Sequence, residues 1–446
     1  MQKLEIAPLE GSHSLQQEVL QPNVPLSGAP LSRRFLILLI PVGIGAGICA
    51  GLLMWLLRSV QHFFWSYRAG DFVAAVERTG AAERIGILLL AGLLAGAADW
   101  LIKRQPGGGT DLSEAVWFRY GRLPFLQAIE RAVLSIVIVG MGASLGREAA
   151  PKMTGAAIAN VFSSWARLSD AERRILVACG AGAGMGAVYN VPFGGALFAL
   201  EVLLGTLALP LAVPALLTSL IATWVAWAFI PDRPTYEIPY YSVSSAQIVW
   251  AIAVGPLGGL AASVYVRAIA WADSRKPQGW RALFLPVAIF TALGFLALPF
   301  PQLLGNGRDA VLGAFLGQFS LPLLLALFFL KPFATSACLA SGAPGGLFTP
   351  TLACGAMLGG AFGWAWTSLW PGAPMGSYAI IGAGAFLAAA TQSPIAAIVL
   401  MLELAPAIIS LTVPLMLAVA GAVFVAGLLE TRSVYSGRVH YVRPTK

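Results

Sequence analysis

The sequence predicts an all-α polytopic membrane protein built from two homologous halves, and three observations carry that prediction. Only 11% of the 446 residues are charged while 58% are hydrophobic, and the mean hydropathy is +0.78. A soluble chain, which must cover its surface with polar groups, is not this apolar. Apolar stretches near the bilayer-crossing length of about 20 residues recur from Phe35 onward. Sequence markers of the first half return in the second half in the same order.

Along the chain, residues 1–32 form a polar segment with Pro8, Pro22, Pro25 and Pro30 and without the basic-then-apolar layout of a cleaved signal, as expected of a flexible cytosolic tail. Apolar stretches then lie near 35–57, 85–102, 129–145, 175–204, 207–230, 247–272, 282–304, 319–330, 350–370, 378–404 and 407–429. Several are short or broken by glycine, so counting spans by hydropathy underestimates the helices. The 49 glycines cluster with alanine inside these stretches, where small residues allow close helix packing and broken helices. The expected organisation is a first membrane half over 33–230, a connecting loop over 231–244, a second half over 245–432 and a short C-terminal segment over 433–446, with no appended soluble regulatory domain.

Charge and composition narrow the function. The 28 basic residues, giving a net charge of +8, are scattered between apolar segments rather than gathered, which argues for cytoplasmic-loop bias and against a nucleic-acid partner. Arg33 and Arg34 flank the first span and predict a cytosolic N-terminus, in a bacterial inner (plasma) membrane. Cys49, Cys179, Cys338 and Cys354 sit in Gly/Ala-rich apolar runs without a CxxC pair or histidine companions, and read as small packing residues rather than metal ligands. His13, His62 and His440 join no nucleophile or metal cluster, so neither an enzyme nor a cofactor is expected.

Gly107-Gly108-Gly109-Thr110-Asp111 returns 198 residues later as Gly305-Asn306-Gly307-Arg308-Asp309. The glycine turn at Gly146 returns 199 residues later at Gly345, each followed by a proline, Pro151 or Pro350. Asn190-Val191-Pro192 through Glu201 returns 202 residues later as Gln392-Ser393-Pro394 through Glu403. A duplicated membrane chain reads as a transporter with its site where the halves meet. Within Gly142-Ala143-Ser144-Leu145-Gly146-Arg147-Glu148-Ala149-Ala150-Pro151, two charges stand between apolar runs, and an intramembrane ionisable residue is a functional candidate by default. The turn and its proline read as a helix start, whose free N–H groups attract anions. Ser341-Gly342-Ala343-Pro344-Gly345-Gly346-Leu347-Phe348-Thr349-Pro350 supplies a second, uncharged helix start. Lys152 follows on the first of these helices, either to raise the local anion concentration or to pair with a carboxylate.

These segments, with Arg432-Ser433-Val434-Tyr435-Ser436, resemble the signature segments of the CLC chloride channels and chloride/proton antiporters, over about residues 33–440. The resemblance implies a homodimer in the lipid bilayer, each subunit having about eighteen tilted, partly broken helices in two inverted-repeat halves and its own anion pathway. It assigns Glu148 as the gating glutamate, which competes with the anion and leaves on protonation. The backbone N–H groups of Arg147, Ala149, Leu347 and Phe348 match anion-binding positions, and Tyr435 matches the tyrosine whose hydroxyl contacts the central anion. Three departures stand out. Gly108 replaces a serine that donates its hydroxyl to that anion, Ala149-Ala150 shift the usual proline by one residue, and Val202 occupies the place of the internal proton-accepting glutamate.

The candidate proton path thus comprises Glu148, Glu201 and Val202, with Glu201 either structural or a substitute acceptor. The leading expectation is chloride movement that is channel-like or weakly proton-coupled. A fully coupled chloride/proton antiporter is the alternative, followed by a fluoride/proton antiporter, against which Tyr435 counts, or an organic-solute secondary carrier. Chloride, as substrate, and protons are the expected small partners.

Overall fold

The computed structural model describes residues 31–67, 70–105 and 110–438. The polar segment 1–30, Gly108 with its neighbours 106–109, and residues 439–446 lie outside the described residues. The described residues fold into seventeen α-helices linked by short 3-10 and π turns. The first half runs α1 (Arg33–Trp65), α2 (Phe72–Arg78), α3 (Ala81–Lys103), α4 (Leu112–Phe118), α5 (Phe125–Gly140), α6 (Ala149–Trp165), α7 (Asp170–Tyr189), α8 (Pro192–Leu197), which widens into a π turn over Phe198–Leu204, and α9 (Leu209–Ala226). The second half runs α10 (Ser245–Ser274), α11 (Arg281–Leu296), α12 (Arg308–Phe315), α13 (Leu321–Ala340), α14 (Phe348–Leu369), α15 (Met375–Thr391), α16 (Pro394–Leu404) and α17 (Thr412–Leu428). Among the described residues six helical segments are long and apolar enough to cross a membrane; the others are shorter or less apolar, which is why hydropathy resolves fewer elements than the fold contains.

Local sequence fixes where these helices begin. Ser32 caps α1 by accepting the Phe35 N–H at 3.2 Å. Capping boxes start α7, from Ser169 and Glu172, and α10, from Ser244 and Gln247. The repeat is visible in the backbone itself: α7 ends on Asn190 at φ 57° and α15 ends on Gln392 at φ 54°, and each turn is followed by a proline-led helix, α8 or α16. A left-handed turn followed by proline stops one helix and starts the next.

Helix α7 from Arg174 onward and helix α15 from Gly376 onward are buried along their length, so each forms the centre of its half. The glycine excess serves these centres. Gly155 of α6 and Gly180 of α7 face one another so closely that a Cβ on either would strike the other's carbonyl oxygen, and a Cβ on Gly359 of α14 or Gly382 of α15 would strike the other's Cα. The two halves meet through a reciprocal pair of bonds, Gly146 N–H to Gly346 O at 2.7 Å and Gly346 N–H to Gly146 O at 2.8 Å. The helix starts Ala149 and Phe348 keep the 199-residue offset of the Gly146–Gly345 marker, while the bridge itself pairs Gly146 with Gly346. The offset is therefore 200 at the bridge and 199 at the prolines, so the first half holds one more residue than the second between its bridge glycine and its proline.

Gly155→Leu should lower the thermal midpoint of the detergent-purified protein by the equivalent of about 3 kcal/mol, because no neighbour at that crossing can yield. Gly86→Leu, at a position with open space around it, should leave the midpoint unchanged or raise it. Thermal unfolding followed by fluorescence distinguishes the two.

Candidate functional site

The bridge brings the starts of α6 and α14 together. Ala149 opens α6, with Pro151 as its third residue, and Phe348 opens α14, with Pro350 as its third residue. The shifted proline of the first half therefore still falls within the first turn, where its missing N–H leaves no helical bond unmade. Glu148 immediately precedes α6 and is 0% exposed. Its Oε1 accepts the Phe348 N–H at 2.7 Å, and its Oε2 accepts the Tyr189 hydroxyl at 3.2 Å. A carboxylate from one half thus rests on the open helix start of the other, where both the free N–H group and the positive end of the helix favour negative charge.

Glycine at the bridge makes room for this carboxylate: a Cβ on Gly146 or Gly346 would overlap the Glu148 side chain. Tyr189, the last residue of α7, joins its hydroxyl to Thr349 Oγ1 at 2.6 Å as well as to Glu148, and its ring lies 5.4 Å from that of Phe348. Sequence reasoning missed both Tyr189 and Thr349. The available signal was their position, since Tyr189 directly precedes the Asn190 marker and Thr349 lies inside the second glycine segment.

The other predicted residues are placed as follows. The Arg147 guanidinium carbon lies 4.9 Å from the Tyr189 ring centroid. Ala149 and Leu347 flank the helix starts, with Leu347 buried and Ala149 half-buried. Tyr435, in the segment after α17, is 8% exposed and packs edge-on against Phe198 at 5.5 Å. Its hydroxyl has no hydrogen-bond partner among the described residues, as is true of the buried Thr110 hydroxyl. Val202 is buried in the π turn.

A family model described as Voltage gated chloride channel matches residues 87–427. The chain belongs to the voltage gated chloride channel family. It is 31% identical to a putative chloride channel protein ClcB-like from Ralstonia nicotianae, over 87% of this chain and 94% of that one. It is 29% identical to the H(+)/Cl(-) exchange transporter ClcA of Vibrio campbellii, over 83% of this chain and 80% of that one. Two solved structures share the fold. A slow cyanobacterial Cl-/H+ antiporter gives a TM-score of 0.79 at 22% identity, covering 91% of this chain and 97% of that one. A CLC-type fluoride/proton antiporter gives 0.73 at 20% identity, covering 92% and 99%.

Within this voltage gated chloride channel family member, Glu201 occupies a defined structural position. Its carboxylate accepts the Ile395 and Ala396 N–H groups at 3.3 and 2.6 Å and so caps α16. Its repeat partner Glu403 accepts the Phe193 and Gly194 N–H groups at 3.0 and 2.5 Å and caps α8. Each half thereby closes the helix start of the other. Glu201→Ala and Glu403→Ala should each cost about 1–2 kcal/mol of stability, the usual range for a lost helix cap. Matched losses in thermal unfolding are expected, with the ratio of proton to chloride flux unchanged by Glu201→Ala.

Proposed function

We propose that this protein moves chloride across a membrane through a pathway gated by Glu148, in a channel-like or weakly proton-coupled manner. The observation that carries the reading is the buried Glu148 carboxylate seated on the Phe348 N–H, because a carboxylate held by a helix start occupies the place an anion would take. Charged Glu148 blocks the pathway. Once protonated, it loses the charge that the N–H group and helix end favour, and chloride replaces it. Val202 offers no acceptor for an internal proton, and the Glu201 oxygens are engaged in capping α16, which supports loose rather than tight coupling. Full chloride/proton antiport is the second reading, favoured by the retention of protonatable Glu148 beside the hydroxyl of Tyr189. The absence of any organic solute in the assay below separates both readings from an organic-solute carrier.

Orientation and assembly follow from charge. The start of α1 is tied to the start of α7 by the Ser32 N–H bonded to Glu172 at 2.8 Å. Arg33, Arg34, Arg122, Arg173 and Arg174 gather around that end, which supports a cytosolic N-terminus in a bacterial plasma membrane. The Glu201 and Glu403 carboxylates lie beside exposed Ile395 and Phe193, and a single subunit would present these charges near lipid. A second copy covering that face removes the cost and supports a homodimer.

In chloride-loaded liposomes, wild-type efflux should rise as external pH falls, because acid protonates Glu148, and should be accompanied by little opposing proton movement. Glu148→Ala should keep the flux and lose its pH dependence. Proton uptake in a fixed ratio to chloride, abolished in Glu148→Ala, would establish antiport instead, and an absence of chloride flux would overturn both readings.

Light scattering of the purified protein, corrected for detergent, should give twice the 46.7 kDa subunit mass.

A further inference from the structure

Lys152 has no role in the scheme above, yet it lies one helical turn beyond Glu148, with its own N–H bonded to the Glu148 carbonyl at 3.2 Å. It is 5% exposed. Its Nζ lies 4.8 Å from the centre of the Phe198 ring and 4.7 Å from the centre of the Tyr435 ring. Two ring faces stabilise the positive charge but give its three N–H groups no lone pair in good geometry. Among the described residues the ammonium has neither a hydrogen-bond acceptor nor a carboxylate within 4.0 Å. The Glu148 oxygens are engaged by Phe348 and Tyr189.

Lys331 of α13 shows what a structural lysine looks like in the same protein. At 2% exposure, it donates to the Leu303 and Gly305 carbonyls at 2.9 and 3.2 Å, so its ammonium is satisfied by the backbone turn it supports. Among the described residues Lys152 has no such acceptor, and the Tyr435 hydroxyl has no partner either. A lysine side chain only 5% exposed, with its ammonium over a ring whose buried hydroxyl has no partner among the described residues, sets out the two sides of an anion site.

We propose that the Lys152 ammonium is a direct anion-holding group of this pathway, binding a monovalent anion of chloride size together with the Tyr435 hydroxyl. The assignment rests on the chloride reading above and adds to it a charged side chain that the helix starts do not supply.

The test is calorimetric titration of chloride into the purified full-length chain in chloride-free buffer, for wild type, Lys152→Met and Lys152→Arg, with chloride efflux measured in parallel. Lys152→Met, which keeps the length and the ring contacts, should weaken chloride binding tenfold or more, and Lys152→Arg should stay within threefold of wild type. Lys152→Gln serves in place of the methionine variant if that variant is not monodisperse by size exclusion. Wild-type affinity in Lys152→Met overturns the assignment while chloride transport stands. Equal weakening in Lys152→Arg and Lys152→Met also overturns it, since packing rather than charge would then be at work. A wild type that neither binds nor moves chloride removes the transport reading and this assignment together.

Discussion

Two helices that begin inside a membrane protein leave backbone N–H groups without intrahelical partners, and in the absence of water something must accept them. The starts of α6 and α14 are brought together by the reciprocal Gly146 and Gly346 bonds, and the Phe348 N–H is met by Glu148. The rest of the site follows from that requirement. Both bridge positions are glycine because a Cβ would occupy the carboxylate's space. Tyr189 is carried there because α7 is the buried centre of the first half and ends beside both helix starts. The proposed gate rests on this acceptor carrying a titratable charge, where a fixed carbonyl would serve the structure equally well.

The same device appears a second time without the gate. Glu201 and Glu403 each close the helix start of the opposite half, and the two arrangements mirror one another. A two-fold-related pair of this kind holds the halves together and leaves neither carboxylate free to move. At the bridge the halves are not equivalent, because the first accommodates an additional residue before its proline and carries Glu148 where the second carries only apolar and hydroxyl side chains. Function therefore lies where the repeat departs from its own symmetry.

Much of this was legible in the sequence, and the parts that were not share a cause. The halves, the glycine turns, the helix starts and Glu148 are local features repeated in order, so periodic comparison finds them. Glu201 remained ambiguous because its partner, Ala396, lies 195 residues away, and its sequence neighbours are silent about that contact. The repeat offset of 199 was legible at the helix starts and prolines, but the pairing of Gly146 with Gly346 across the halves was not, because only the backbone bonds choose between Gly345 and Gly346. Helices α7 and α15 merge with their neighbours in a hydropathy profile because buried Gly/Ala runs lack the polar face that marks an amphipathic helix. Lys152 was visible as a charge, but the two rings that hold it come from the π turn and the C-terminal segment.

A full positive charge beside a transport pathway creates a kinetic difficulty, because an anion bound too well does not leave. Each tenfold gain in affinity, about 1.4 kcal/mol, lengthens the bound state roughly tenfold when the rate of entry is fixed. One feature of this site works against that trap. Glu148 lies one helical turn before Lys152, with its oxygens bonded to Phe348 and Tyr189. Carboxylate and chloride consequently compete for one region of positive potential, so the return of Glu148 weakens the hold on the anion. On the proposed reading the ammonium raises the occupancy of the pathway while the Glu148 carboxylate limits how long each anion stays, so that the two charges need each other for turnover.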